Sequence, residues 1–473
     1  MNSPASAATL LRTMGHVSTL VFSRTSRVAA SCCAIAGVLL CAYPAAYANG
    51  RYPKADQILI APNDSDFLAA RTTFGLLVSH DAGHNWDWIC ERAIGYAGVQ
   101  DPTIGLLDSG TIIASLAEGI ARSSDHGCNW AFSEADLGGS PVIDLTVSKD
   151  EPNQAFALVW DAQRLGYSSR ILASSDDGNS FSLLGTPIDP SVLVATIEVA
   201  PSNPHRVYAS GTRSVDGVRS GLLFASDDDG EHWSEYSLPF DPKLEQGVYI
   251  AAVDPHDADT VYLRTSSATV GRLLVSHDAG KRVSVVYSGS LLAFALSPDG
   301  KQLYVGGQDG VHAGLANDLS FERRASLRVL CLASTADTVY ACSDEYSGFT
   351  VGASRDGGST FEPLLHLQTV RGPLSCSAAQ CQSDWPLVRA QLGIPQPSEG
   401  DVGTDADDAS TADAGDEGDL DDPPVRPPTA ARSSCTLRFT NSTGTPWFEA
   451  SLLALAGLGW RRRSRQRSRL RAK

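Results

Sequence analysis

The sequence lacks the short signatures that most enzyme chemistries require. No Gly-x-Ser-x-Gly elbow presents a nucleophilic serine, and no P-loop cradles a phosphate. The histidines are scattered: His80 and His277 fall at a variable turn position, with His126 one step further on, and no Cys/His set has zinc spacing. The ligand spacing of an EF-hand is absent as well. No metal and no cofactor are therefore expected. Basic charge is scarce in the body, where residues 49–396 hold 42 acidic against 23 basic side chains. That balance leaves no footprint for nucleic acid. The apolar run near the C-terminus is short too. The stretch "PWFEASLLALAGLGW" near the C-terminus has about fifteen residues, short of the roughly 20 that cross a bilayer comfortably.

The first 48 residues contain no acidic side chain. Arg12, Arg24 and Arg27 precede the apolar run "VAASCCAIAGVLLCAYPAA", which ends in Ala46-Tyr47-Ala48. This order is that of a secretory signal peptide over 1–48, whether translation starts at Met1 or Met14. Export permits disulfides. Seven cysteines remain after the leader: Cys90, Cys128, Cys331, Cys342, Cys376, Cys381 and, alone near the end, Cys435. A Cys376–Cys381 bridge would close a short loop. Cys331 and Cys342 flank a turn symmetrically and would face each other across a hairpin, which leaves Cys90–Cys128 as the remaining pair.

Residues 391–434 form an acidic, Pro-rich linker. Between Glu399 and Asp422 there are eleven acidic residues and no basic one. Such a segment has too little apolar surface to offset its chain entropy and is expected to be disordered. Residues 435–473 hold Cys435, the short apolar run and the block "RRRSRQRSRLRAK". An arginine block beside an apolar run favours the cytoplasmic side of a membrane.

The body is a repeat. "VSHDAGHNW" (78–86) recurs as "RSSDHGCNW" (122–130), "ASSDDGNSF" (173–181), "ASDDDGEHW" (225–233), "VSHDAGKRV" (275–283) and "ASRDGGSTF" (353–361). The shared pattern is Ser-x-Asp-x-Gly-x-x-aromatic, broken at Val283. The wide gap before the last copy is filled by a decayed one at 305–321. Upstream of each copy lie further strand–turn–strand patterns, as in "IEVAPSNPHRVYASG" and "AAVDPHDADTVYLRT". Seven units of four short strands predict an all-β, seven-bladed propeller over 49–390. Within each motif the Asp carboxylate accepts backbone N–H groups across its own turn, Gly supplies positive φ, and the aromatic ring packs between neighbouring sheets. Asp81, Asp125, Asp176, Asp228, Asp278 and Asp356 are therefore expected to lock turns rather than to bind ions. The run Asp227–Asp229 reads the same way.

These motifs resemble Asp-box (BNR) repeats, as found in sialidases, sortilin-like receptors and xyloglucanase-type glycosidases. The resemblance spans roughly 55–381. It implies a propeller and leaves catalysis open, since relatives include enzymes and binders. The last 39 residues resemble the C-terminal sorting domain of myxobacterial surface proteins (the MYXO-CTERM type). By that resemblance Cys435 would be the processing and anchoring site.

An antiparallel four-stranded unit sends its first-to-second and third-to-fourth turns to one face. Ligand residues would then sit in the opposite loop set. Those loops carry Arg164, Tyr167, Arg213, Arg219 and Arg264, with Asp161, Asp216 and Glu245 as the carboxylates available to a two-carboxylate hydrolase. The Phe/Tyr-Arg-Ile-Pro signature of sialidases is missing. The expectation is an exported, envelope-anchored monomer that binds a protein, peptide or glycan without catalysis. A secreted glycoside hydrolase is the alternative.

Overall fold

Each stretch that reads as strand, turn, strand is folded as an antiparallel meander. The computed structural model describes residues 51–161 and 167–396. Seven sheets follow one another along the chain, at 55–89, 104–132, 142–188, 192–237, 245–289, 293–325 and 331–365; we number them blades 1 to 7. Each has four strands in simple up-and-down order. Blade 3 gains a fifth, Glu134–Ala135, which leaves blade 2 and runs parallel to Ser180–Phe181. The chain is thus an all-β, seven-bladed propeller.

The first strands of successive blades stand side by side, and Ala55–Ala61 of blade 1 meets Cys331–Ser334 of blade 7, which closes the ring. Alternation of apolar side chains on these strands fills the spaces between blades. One cluster joins Phe156, Leu158 and Ile171 of blade 3 to Val194, Val207 and Phe224 of blade 4, and another joins Tyr208 and Leu223 to Val261 and Leu274.

The recurring turns sit between third and fourth strands, and all six intact copies share one hydrogen-bond pattern. Ser79 Oγ donates to Asp81 Oδ1 (2.9 Å) and accepts the Gly83 N–H (2.9 Å). Asp81 Oδ1 also accepts the Asn85 N–H (2.8 Å), and its Oδ2 takes the Asn85 side chain (2.6 Å). The same bonds recur around Asp125, Asp176, Asp228, Asp278 and Asp356, with Asn129, Ser180, His232, Arg282 and Thr360 in the last role. Positive φ is needed at two consecutive residues, Ala82 (55°) and Gly83 (89°) in the first copy, so the glycine is only half of the requirement. In the decayed copy Leu319 keeps positive φ (57°) and Asp318 accepts the Ser320 N–H (2.8 Å), but the serine is gone.

No strand is exchanged between blades 1 and 7. The chain instead leaves blade 7 and straps the outer edge of blade 1. Trp88 N–H donates to Gly372 O (2.7 Å) and Leu374 N–H to Trp88 O (2.8 Å), with a parallel bridge between Trp88 and Pro373. Trp86, buried, sends its indole N–H to Leu364 O of blade 7 (3.1 Å). Two disulfides pin the strap, Cys90–Cys381 to blade 1 and Cys128–Cys376 to the blade 2 turn. The pairs Cys376–Cys381 and Cys90–Cys128 expected from chain spacing are not formed. Cys376 and Cys381 lie on short helical segments, Ser375–Ser377 and Ala378–Cys381. Five residues of helix turn their side chains roughly 140° apart, so each reaches a different blade. Cys331–Cys342 joins directly paired positions of one hairpin. The strap ends in the helix Trp385–Gln391, and beyond it Leu392 is buried and Ile394 packs on the same core.

The leader (1–48), Arg164, Cys435 and the tail 435–473, together with the linker beyond Gln396, lie outside the described residues. No helix among the described residues is long and apolar enough to cross a membrane.

Candidate functional site: the loop face and the channel wall

The two faces of the ring differ in kind. The turn face is built from self-satisfied carboxylates. Hydrogen bonds from His232 hold Asp228 down to about 2, and those from Arg282 do the same for Asp278. At Asp176 burial works the other way, but bonds from Ser180 and Ser174 again bring the carboxyl to about 2. Asp81 and Asp125 are lowered against the same opposition, and Asp356 is lowered by Thr360. The triple aspartate points three ways. Asp227 pairs with Arg206 (2.5 Å), Asp228 locks its turn, and Asp229 faces His205 (2.8 Å). No group of three or more His, Cys, Asp or Glu among the described residues converges as a metal site would.

The loop face carries most of the exposed large apolar side chains among the described residues. Of the 14 exposed large hydrophobic side chains among the described residues, nine lie in second-to-third or inter-blade connections or at the strand ends that border them: Tyr52, Val99, Tyr167, Val215, Val218, Leu244, Val270, Leu292 and Tyr346. Val218 is 62% exposed and Tyr346 87%. Tyr346 stacks on Tyr52, with ring centroids 6.0 Å apart, across the junction of blades 7 and 1. Val215 and Val218 tip the tallest hairpin, formed by Asn203–Val215 and Val218–Ser226. Only Leu315 among the other five belongs to a turn of the opposite face.

Most side chains expected at a ligand mouth are engaged elsewhere. Glu245 is buried and grips Arg272 through both carboxylate oxygens (2.6 and 2.5 Å), while its Oε2 also accepts the Asp241 N–H (2.7 Å). Burial alone would raise its pKa; the Arg272 bonds overcome that and lower it. Asp216 is the hairpin tip itself, exposed and at positive φ (51°). Arg213 pairs with Glu235 (2.6 Å) and Asp189 (2.9 Å). Arg219 donates to Gln246 O (2.6 Å). Asp161 donates its backbone N–H to Ser168 O (2.6 Å), and Tyr167 is an exposed loop residue. Arg213, Asp216 and Arg219 share one hairpin; Tyr167 N–H reaches Pro190 O beside the Asp189 that holds Arg213, and Arg219 reaches the carbonyl next to Glu245.

Arg264 is the exception. It lies opposite Tyr249 in the blade 5 ladder, with its guanidinium 5.0 Å above the tyrosine ring. Across the channel wall stand two carboxylates that sequence reasoning missed, Asp144 on Val142–Val147 and Glu198 on Val192–Ala200. Asp144 Oδ2 accepts the Ile197 N–H (3.0 Å), and Glu198 Oε1 accepts the Thr146 hydroxyl (3.1 Å), so the two acids sit diagonally on adjacent first strands. Desolvation pushes Asp144 up to about 7, with Glu198 adding to the rise, and raises Glu198 too. An acid within an apolar first strand, as in "VIDLTV" and "TIEVA", was the available signal.

A separate open groove of about 490 Å³ lies outside the ring, between Arg92–Gly95, Trp130–Phe132 and Ala379–Ser383. It is a seam between the strap and the loop that joins blades 1 and 2.

No protein-family model and no curated protein matches the chain. Among solved structures, similarity is to an ancestral GH74 enzyme (11% identity, 66% of this chain and 46% of that one, TM-score 0.49). The GH74 xyloglucanase from Xanthomonas campestris gives 14% identity, 65% and 64% coverage, and TM-score 0.34. The Dos1 propeller gives 13% identity, 66% and 80% coverage, and TM-score 0.43. The chain thus spans under half the length of the first and under two thirds of the second. At these identities the likeness is one of fold.

Proposed function

We propose that the chain is an exported binding protein, held at the cell envelope by its C-terminal tail, which docks a protein partner through the loop face. The observation that carries this reading is the concentration of exposed apolar side chains on that face, nine of 14. Exposed apolar patches mark interaction sites; on this face Val215 and Val218 share one hairpin tip and Tyr346 stacks on Tyr52, and exposed aromatics such as Tyr167 suit a protein interface. The engagement of Glu245 with Arg272 and the placement of Asp216 at a hairpin tip argue in the same direction, because they remove two expected carboxylates from any reacting pair. The acidic linker would then act as a spacer between ring and envelope.

The test is co-purification from the surface of producing cells with full-length protein. Val215→Asp with Val218→Asp should lose the partner, and Leu315→Asp on the opposite face should retain it. Retention by the loop-face variant would refute the reading. Hydrolysis by Asp144 and Glu198 is the second reading, favoured by their adjacency and raised pKa values. Turnover of any member of a glycan panel, abolished by Asp144→Asn, would establish it.

A further inference from the structure

The wall formed by blades 3, 4 and 5 holds a group that neither the turns nor the interfaces between blades use. Arg206, Arg213 and Arg272 all have carboxylate partners. Arg264 has no close ion pair among the described residues; its guanidinium lies over the ring of Tyr249, and Asp144 is the carboxylate whose charge acts on it. Tyr249 itself is held along its strand, since its hydroxyl lies 2.9 Å from where a Gly247 side chain would begin. Arg264 is half-buried, and burial lowers its pKa. When Asp144 is protonated, this partly desolvated cation lacks a counter-charge, which is costly.

We propose that this wall binds a carboxylate group of the docked partner, with Arg264 as the fork that receives it and the Asp144 carboxyl as a second donor. The inference rests on the loop face being the docking face. A guanidinium presents parallel N–H donors that match a carboxylate bidentately, and stacking on Tyr249 fixes its plane. The groups facing the bound carboxylate are Asp144, Glu198 and the hydroxyls of Thr146 and Thr196, with Lys149 acting on Glu198. Thr196 is occupied by Ser210 (2.8 Å) and by the Ile250 N–H (2.9 Å), so it shapes the site without donating to a ligand. Ionised, Asp144 and Glu198 repel an anion; protonated, they can donate to it. Binding therefore takes up protons. With Asp144 titrating at about 7, apparent affinity falls about tenfold from pH 6 to pH 8. A chain terminus and an acidic side chain offer the same chemistry.

Ligand-observed NMR titration of the full chain tests this. The probes are N-acetyl-triglycine as free acid and as amide, and N-acetyl-glutamate amide for the side-chain source. At least one carboxylate should saturate, and the neutral amide should not. Arg264→Gln should abolish binding. Arg264→Lys, which keeps the charge but not the fork, should weaken it at least about tenfold with an unchanged melting curve, and it settles the matter if Arg264→Gln does not fold. Asp144→Asn should lose most of this pH dependence, keeping only what Glu198 contributes. Equal binding of acid and amide, wild-type binding by Arg264→Lys, or no saturation by any carboxylate up to about 50 mM (a free energy near 2 kcal/mol) would overturn the inference. If partner capture by the loop face persists in those cases, the docking proposal stands without this site.

Discussion

Removing the two long-range disulfides one at a time should cost unequal amounts. With Cys90–Cys381 intact, Cys128–Cys376 closes a loop of only about 43 residues, the chain from Cys90 to Cys128 together with that from Cys376 to Cys381. In the chain-entropy treatment a loop of that size is worth about 4 kcal/mol. Once it is gone, the remaining bridge spans 291 residues, and its removal costs about 5.5 kcal/mol in the same treatment. Cys128→Ser/Cys376→Ser should therefore lose about 4 kcal/mol, and the variant lacking all four cysteines a further and larger amount. Guanidinium unfolding followed by tryptophan fluorescence reports both steps, since Trp86 and Trp88 lie under the strap. Equal losses in the two steps would refute the nested-loop argument. A total loss under about 1 kcal/mol, far below the range for native disulfides, would refute the view that the strap closes the ring.

Three other outcomes follow. Ser123→Ala removes bonds to Asp125 (2.9 Å) and Gly127 (2.8 Å) within a buried turn, so thermal or denaturant unfolding should show a loss of about 2 kcal/mol. Glu245→Gln breaks the buried pair with Arg272 and should cost about 3 kcal/mol while leaving partner binding intact; loss of binding at unchanged stability would make Glu245 a ligand residue after all. Asp144 has a folded pKa raised to about 7 from an ordinary 3.8. Its penalty is absent below pH 4, grows as pH rises from 4 to 7 while only the unfolded state ionises, and then levels off. Asp144→Asn should match the wild type near pH 4 and exceed it by about 4 kcal/mol at pH 8, read from unfolding midpoints at the two values.

The architecture was legible because its determinants are local. A serine, an aspartate and a glycine within five residues, as at Ser226, Asp228 and Gly230, close their own turn, and seven such units at regular spacing leave few alternatives to a ring. Even the degraded copy at Asp318 falls between third and fourth strands. The Cys331–Cys342 pair was legible for the same reason, being cross-strand neighbours of one hairpin. Cys90–Cys381 and Cys128–Cys376 were not, because they depend on where the strap lies after the ring has closed. The mouth residues are a different case. Arg213 and Glu245 carry the right chemistry at the right level, but partners from their own blades, Glu235 and Arg272, engage them. Asp144 and Glu198 were hidden because an isolated acid in an apolar strand does not reveal which way it faces until the neighbouring blade is in place.

The claim on which the account turns is that the loop face works on partners while the turn face only holds the ring together. A photo-crosslinking residue placed at Val218 in one full-length variant and at Leu315 in another tests it in cells that make the protein. The account predicts a defined protein adduct from position 218 and none from position 315. An adduct from position 315 with none from 218 would contradict it.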